Sequence, residues 1–375
     1  MKSLLLKNSF KDALSVVEKI TAKSPTLPIL GNLLLETKKN SLELSATDLE
    51  MGIRYQILSK NDEEGKTVVP ARFLSQLIPL FSDNHIVLEQ KESALHVKGK
   101  GHATKVKTLS ADDFPIIPSV KGDEKTVEVE ASLLAQGISQ VVGMAGQTQV
   151  RPEISGVLCV VRGREITLVA TDSFRLAEKT VPLAKNQNQE FSCILPSKTA
   201  REVAGILADK QGNVVVSYSS SQITFEYFLQ DDPSQTRIEI VSRLIEGEYP
   251  KYEDVIPQSC ATTATVKRSE FLNNVRAASI FTGKTNDVRV CIDPERRLVE
   301  FVARNAEVGE SASEMQAEGA GTRTEIAFNW RFLSEGISHM KSEYIEIGVN
   351  GEDGPALIKP KKPEGYLYVV MPIKA

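Results

Sequence analysis

One short signal, written three times, limits what this chain can fold into. The stretch Val169-Ala170-Thr171-Asp172-Ser173-Phe174-Arg175-Leu176-Ala177 is echoed by Ser45-Ala46-Thr47-Asp48-Leu49-Glu50-Met51 and, more faintly, by Val302-Ala303-Arg304-Asn305-Ala306-Glu307-Val308. Each copy reads as a strand running into a turn, and the copies lie roughly 120 to 135 residues apart, about one domain length. The 375 residues therefore read as three copies of one domain, and a single hydrophobic core of that size would be unusual. With 41% hydrophobic and 25% charged residues, the composition is that of ordinary globular domains and not of a disordered chain.

The copies share an order of elements. Each opens with an amphipathic helix: Phe10, Ala13, Leu14, Val17 and Ile20 form one apolar stripe, Leu133, Leu134, Ile138, Val141 and Val142 a second, and Phe271, Leu272, Val275 and Ala278 a third. Strand-like pairs follow at 31–37 with 42–46, 156–161 with 165–170, and 288–293 with 298–303. Turn residues such as Lys38-Lys39-Asn40, Arg162-Gly163-Arg164 and Asp293-Pro294-Glu295 divide them. A second helix is announced by Val69-Pro70-Ala71, Leu195-Pro196-Ser197 and Phe328-Asn329-Trp330, with proline tolerated at a helix start because its missing N–H would be unpaired there anyway. More strands close each copy. Asp113-Phe114-Pro115 and Glu248-Tyr249-Pro250 end the first two, and polar links at about 118–126 and 251–262 lead onward. The fold class is α+β, with two helices per copy packed on antiparallel sheet.

Such units can join sheets edge to edge, but the outer edges of the first and last stay open. Head-to-tail matching between chains gives a filament or a closed ring, and only a ring removes every edge. If the ring closes, one helix layer faces its hole. The non-apolar helix faces carry Lys11, Lys19, Lys23, Arg72, Lys198, Arg201, Lys210, Arg268, Arg276, Arg331 and Lys341, against fewer acids such as Asp12, Glu18, Glu202 and Glu270. On their own these are solvated faces, whereas ring topology would make them a lining. The net charge of -4 argues against nonspecific coating of nucleic acid but leaves a local basic face open. Cys159, Cys193, Cys260 and Cys291 are far apart in sequence and read as free thiols, three of them in strand-like apolar surroundings. The N-terminus turns polar by Lys7-Asn8-Ser9 and no later apolar run approaches about 18 residues, so a soluble, cytoplasmic protein is expected, without membrane contact.

Seven collinear motifs now point to a family. They are Ser24-Pro25-Thr26-Leu27-Pro28-Ile29-Leu30-Gly31-Asn32-Leu33-Leu34-Leu35, Ala46-Thr47-Asp48-Leu49-Glu50-Met51, Val69-Pro70-Ala71-Arg72, Ala111-Asp112-Asp113-Phe114-Pro115, Ala170-Thr171-Asp172, Arg175-Leu176-Ala177 and Tyr368-Val369-Val370-Met371-Pro372. Together they closely resemble the bacterial DNA polymerase III beta subunits, the sliding clamps, over the whole chain. The resemblance implies three clamp-type domains, at 1–121, 122–250 and 251–375, in a head-to-tail homodimeric ring. It implies a non-catalytic processivity factor that encircles duplex DNA without regard to sequence. Its partners would be the DNA polymerase III alpha subunit, a clamp loader and other proteins with a clamp-binding peptide, and no cofactor or metal is implied.

The resemblance also carries residues. Lys23, Arg72, Thr148, Gln149, Arg151, Lys198 and Arg201 match DNA-facing positions, with Ser24 standing where the family has an arginine. The dimer joint would pair the 103–109 strand, including Val106, with a third-domain strand, and Ile280 and Phe281 would pack nearby. Clamp-binding peptides resemble Gln-Leu-x-Leu-Phe. The matching pocket positions are Ile154, Thr171, Ser173, Phe174, Arg175, Leu176, Pro250, Val255, Asn329, Phe332, Val369, Val370, Met371, Pro372 and Ile373. Thr171 and Arg175 would supply polar edges, and the adaptable Met371 part of an apolar wall. Phe174 stands where histidine is usual, Asp254 where arginine is common and Phe332 where tyrosine is common, so peptides leaning on apolar anchors more than on acidic residues are expected.

Enzymatic readings are weaker. Gly283-Lys284-Thr285 ends like a phosphate-binding loop, but the glycine required five residues earlier is Ala278, inside an apparent helix. His85, His96, His102 and His339 show no metal-ligand spacing. Asp48 and Asp172 occupy one point of a repeat and read as turn-forming acids that bond local N–H groups. The alternative class is a three-repeat scaffold that binds peptides but does not encircle DNA.

Overall fold

The computed structural model describes residues 1–21, 27–119, 125–148, 150–229 and 236–373. The described residues hold two α-helices in each repeat: α1 (Lys7–Val17) and α2 (Ala71–Leu77), α3 (Ala131–Val141) and α4 (Ser197–Leu207), α5 (Arg268–Ser279) and α6 (Trp330–Ser338). The apolar stripes read from the sequence are the buried faces, with Phe10, Ala13, Leu14 and Val17 inward on α1 and Phe271, Leu272, Val275 and Ala278 on α5. Pro70 sits one position earlier than a first helical residue, as the extended N-cap of α2. In the third repeat that place is taken by Asn329, whose side chain accepts the Arg331 N–H at 3.0 Å.

By internal contacts the chain divides into two compact units, residues 1–135 with 183–185 and 201–244, and residues 136–182 with 186–200 and 245–375. The first holds a twelve-stranded sheet whose main path starts at His102–Lys107 and passes through Lys2–Leu6, Met51–Glu63 and Thr236–Arg243 to Lys125–Glu130. The second holds a seven-stranded sheet running from Gly156–Thr171 through Arg175–Pro196 and Tyr366–Val370 to Glu318–Ala320. It also holds a four-stranded sheet with Gly309–Gln316 at one edge. The expected turn at Arg162-Gly163-Arg164 is instead a kink within the strand Gly156–Thr171. Its pairing with Arg175–Pro196 shifts register on both sides of Gly163, whose φ of 58° suits a residue without a side chain.

The repeats join edge to edge in the same way twice. In the first unit Met51, Gly52 and Ile53 pair antiparallel with Ser242, Val241 and Ile240. In the second unit Arg175, Leu176 and Ala177 pair with Val370, Val369 and Tyr368. Each joint continues past the ladder by one main-chain bond, Arg243 N–H to Glu50 O at 2.9 Å and Met371 N–H to Phe174 O at 2.8 Å.

The signal that repeats in the sequence is a turn built twice to the same plan. Asp172 Oδ1 accepts the N–H groups of Phe174 and Arg175, both at 3.0 Å, and Asp48 Oδ1 those of Glu50 and Met51 at 3.0 and 2.8 Å. The Thr171 hydroxyl donates to Arg175 O at 2.7 Å and accepts from Ser173, as Thr47 does with Met51 O at 2.8 Å and Leu49. These bonds hold Ser173 and Leu49 at φ of 76° and 77°, a conformation that side chains resist. In the third copy Arg304 replaces the threonine and Asn305 accepts one bond, from Glu307 N–H at 2.9 Å. The chain needs one more residue to turn: Arg304 pairs in register with Glu310, where Thr47 pairs with Gly52 and Thr171 with Leu176.

The second unit has a tight spot between α6 and the strand Tyr366–Val370. A Cβ on Gly336 would come within 2.3 to 2.4 Å of the Tyr368 ring. Only glycine lets the helix lie on that ring, which is fully buried and donates its hydroxyl to Phe332 O at 2.9 Å.

Candidate functional site

Strand alternation sets out the site. Val369 and Met371 lie on one side of the last strand, while Tyr368 and Val370 lie on the other. On the first side, Leu158, Val169, Leu176, Ile194, Tyr252, Leu357 and Val369 form one buried cluster. Above it opens a cavity of about 200 Å³ lined by Arg151, Ile154, Thr171, Ser173, Arg175, Leu176, Pro250, Lys251, Tyr252, Val255, Val369 and Met371. The strands Gly156–Thr171 and Arg175–Pro196 bring Thr171, Arg175 and Leu176, and the last strand brings Val369. The link between the second and third repeats, one turn of 3₁₀ helix at Tyr252–Val255, supplies another wall.

Nine of the fifteen expected pocket residues meet there: Ile154, Thr171, Ser173, Arg175, Leu176, Pro250, Val255, Val369 and Met371. Six do not line it. Val370 is fully buried on the opposite face of its strand. Phe174 is 62% exposed, between two lining residues, and Asn329 caps α6. Pro372 and Ile373 continue past Met371, with Ile373 N–H bonded to Ala327 O at 2.8 Å. Phe332 lies behind the site, its ring 4.5 Å from the Arg175 guanidinium carbon. Sequence reasoning missed Lys251 and Tyr252, which sat in what reads as a polar link; the Glu-Tyr-Pro signal beside them was the clue that the link packs back.

Arg175 ties the pocket to α6. Its guanidinium donates to Asp172 Oδ2 at 2.9 Å, Glu335 Oε2 at 2.6 Å and Gly143 O at 3.3 Å. Burial alone would lower its pKa, but the hydrogen bond to Glu335, with Asp172 beside it, prevails and raises it. On the other wall Tyr252 and Glu178 interact, and burial above all pushes both groups up. Ile154, Leu176, Pro250, Val255, Val369 and Met371 make the apolar part of the lining, Arg151, Lys251 and Ser173 add polar groups, and the Thr171 hydroxyl is engaged in its own turn. The arrangement suits the capture of apolar side chains, with Arg175 as a charged edge.

Arg151, expected to face DNA, lines this pocket: it pairs with Glu153 at 3.1 Å and donates to the Ser173 hydroxyl at 3.3 Å. Thr148 accepts the Val150 N–H at 3.1 Å and helps shape its loop. Arg72 is exposed on α2, and Lys198 and Arg201, three residues apart on α4, are exposed on one face of that helix. Lys23 and Gln149 lie outside the described residues. Of the expected joint residues, Ile280 is 71% exposed and Phe281 half-buried. Val106 is only 5% exposed, the one buried residue of His102–Lys107, so its side chain packs within its own repeat and only its main chain is offered at the edge.

Gly283-Lys284-Thr285 follows α5 and precedes the strand Asp287–Asp293, whereas a phosphate-binding loop opens a helix. Cys159, Cys193 and Cys291 are buried and Cys260 half-exposed, all free, with Cys159 and Cys193 facing each other in register. Among the described residues no helix is long and apolar enough to cross a membrane.

Comparison with known proteins covers the whole chain. Residues 1–118, 128–251 and 253–374 match, in turn, the N-terminal, central and C-terminal domains of the DNA polymerase III beta subunit. The beta sliding clamp of Synechococcus elongatus is 27% identical over 381 aligned residues, covering 100% of this chain and 99% of that protein. The DNA polymerase III beta subunit of Thermotoga maritima has a crystal structure that superposes with a TM-score of 0.91 at 27% identity, covering 100% and 99%. A sliding clamp from Pseudomonas aeruginosa, solved bound to griselimycin, superposes at 0.92 with 25% identity and full coverage of both chains.

Proposed function

The chain belongs to the DNA polymerase III beta subunit family, and from that premise we propose how its own residues do the family's work. It is a DNA sliding clamp, a non-catalytic processivity factor built from three clamp domains. The cavity over Leu176 and Val369 takes the apolar anchors of partner peptides of the Gln-Leu-x-Leu-Phe type. One observation carries this reading: strands from two repeats and the link between them converge on an aliphatic cavity edged by Arg175. Burying two anchors contributes about 1.5 to 3 kcal/mol each, which with main-chain bonds is enough for roughly micromolar binding. Peptides of this kind on the DNA polymerase III alpha subunit, the clamp loader and repair proteins compete for the one pocket.

Two copies close head to tail. His102–Lys107 is an edge of the twelve-stranded sheet and Gly309–Gln316 an edge of the four-stranded sheet, and they hold the places of Thr236–Arg243 and Met51–Glu63 at the first joint. Lys107 and Arg243 are equivalent, because the next residue in each case donates to a serine carbonyl, Ser93 or Ser221, at 3.1 and 2.9 Å. Lys105 then holds the place of Val241, and Glu310 that of Gly52. Pairing in the same register sets Lys105 of one copy opposite Glu310 of the other, and Ile280 and Phe281 stand close to that joint.

Duplex DNA passes through the ring, past Arg72, Lys198 and Arg201. Each phosphate neutralised adds salt-sensitive affinity that would resist sliding, so a sparse basic lining in an acidic protein fits the task. Domain limits at 1–121, 122–250 and 251–375 and a cytoplasmic location belong to the same reading.

The test of the pocket is fluorescence anisotropy with a labelled Gln-Leu-Ser-Leu-Phe peptide against the intact chain and a form lacking Met371 to Ala375. Micromolar binding lost on truncation is expected; equal binding by both forms would place the peptide elsewhere. For the ring, retention on circular DNA and loss on linearisation is expected, and a chain that binds peptide without being retained is a scaffold that does not encircle DNA.

A further inference from the structure

The pocket has an acidic margin. The turn Tyr252–Val255 gives Tyr252 and Val255 to the lining, and the two residues between them, Glu253 and Asp254, are exposed. Before Pro250, Glu246 and Glu248 are exposed on a loop whose Gly247 lies against Glu153, a Cβ there standing 3.7 Å from the Glu153 Cβ. None of Glu246, Glu248, Glu253 and Asp254 has an ion-pair partner within 4 Å among the described residues, whereas Glu153 is matched by Arg151. Between residues 246 and 254 four exposed carboxylates stand against one cation, Lys251, while Arg151 on the lining is matched by Glu153. Behind them the half-buried Glu178 carboxyl is pushed up by burial above all, with Tyr252 and Lys359 opposing and the nearby charge of Glu253 adding to it.

We propose that the peptides this pocket selects carry lysine or arginine beside their apolar anchors, read by Glu253 and Asp254 with Glu246 and Glu248 as a wider field. The inference rests on the pocket reading above and names its partner more narrowly. The anchors supply affinity, and the margin supplies choice among partners. Exposed pairs of this kind are individually weak, so the preference is modest and falls with salt.

The experiment compares two labelled peptides, Lys-Gln-Leu-Ser-Leu-Phe-Lys and Glu-Gln-Leu-Ser-Leu-Phe-Glu, by anisotropy on the full chain at low and high salt. The same titrations are run on the Glu253→Gln, Asp254→Asn double variant, which leaves the lining residues intact. The basic peptide should bind about three- to tenfold more tightly, with the gap closing in high salt and in the double variant. Equal binding of the two peptides, or tighter binding of the acidic one, overturns the acidic-margin proposal and leaves the pocket standing. A preference that survives in the double variant overturns the assignment to Glu253 and Asp254. Failure of both peptides to bind removes the pocket reading, and this inference with it.

Discussion

Replacing Arg175 by methionine separates what the pocket does for peptides from what it does for the fold. The Arg175 side chain is 10% exposed and its partners Asp172 and Glu335 are 20% and 41% exposed. Removing one member of a fully buried pair costs about 3 to 5 kcal/mol, and of an exposed pair about 0.2 to 1 kcal/mol. With Asp172 left largely covered and Glu335 free to reach water, the loss lies between, at about 2 kcal/mol. Methionine keeps most of the apolar contact with Phe332 but none of the charge. Trp330 is the sole tryptophan and the first residue of α6, so its fluorescence in a urea titration reports on the element that Arg175 fastens. Glu335→Gln keeps a hydrogen-bond acceptor and is outside the lining, so it should lose about 1 kcal/mol and no peptide affinity. Arg175→Met should lose both. A Trp330 transition moved by less than about 0.5 kcal/mol in Arg175→Met, or equal loss of peptide binding in the two variants, would refute the reasoning.

Three further outcomes follow from the same geometry. Gly336→Ala should destabilise by about 1 to 2 kcal/mol in the Trp330 transition, since overpacking against Tyr368 costs about 1 to 3 kcal/mol and helix propensity returns up to about 1 kcal/mol. Glu310→Lys should weaken the dimer in light scattering at low salt and Lys105→Glu in the same chain should restore it; failure of the double swap would reject the register. The His339 imidazole is held below its ordinary value of 6.5, by burial above all, with Glu335 opposing and Arg175 assisting. The folded state therefore takes up its proton later than the unfolded chain. Stability is fullest above about pH 6.5 and falls as the pH drops below it, and His339→Gln should flatten that slope in thermal melts taken between pH 5 and 8.

Much of this was legible because repetition amplifies weak signals. One Thr-Asp pair is a common turn; the same pair twice, at the same place after an amphipathic helix and two strands, fixed both the turn chemistry and the edge it presents. The helix stripes were legible for the usual reason, that 3.6-residue periodicity survives without any knowledge of partners. Three things were hidden. The kink at Gly163 reads as a turn because local residues do not reveal that the pairing strand continues alongside. Val370 and Phe332 belong to the motif that builds the site but not to its surface, a distinction made by strand alternation and by the cover that Arg175 provides. Val106 sits in an edge strand with its side chain turned inward, which the sequence of the strand does not reveal on its own.

The two internal joints show why a repeated scaffold need not repeat its site. Turn, register and the extra main-chain bond are the same at both, and several positions correspond: Val68 with Ile194, Phe114 with Tyr249, Ile117 with Tyr252 and Val241 with Val369. What differs is the residue after the turn. At the second joint it is Leu176, whose side chain floors the cavity under Tyr252. At the first it is Gly52, and the Ile117 side chain has moved into the space, so that a Cβ on Gly52 would come within 2.6 Å of Ile117 Cγ2. Met371, an apolar wall at the second joint, corresponds to the charged Arg243 at the first. The fold thus constrains the backbone at each joint and leaves the side chains over the ladder free, and chemistry specific to one joint is carried by the few positions that face away from both helices.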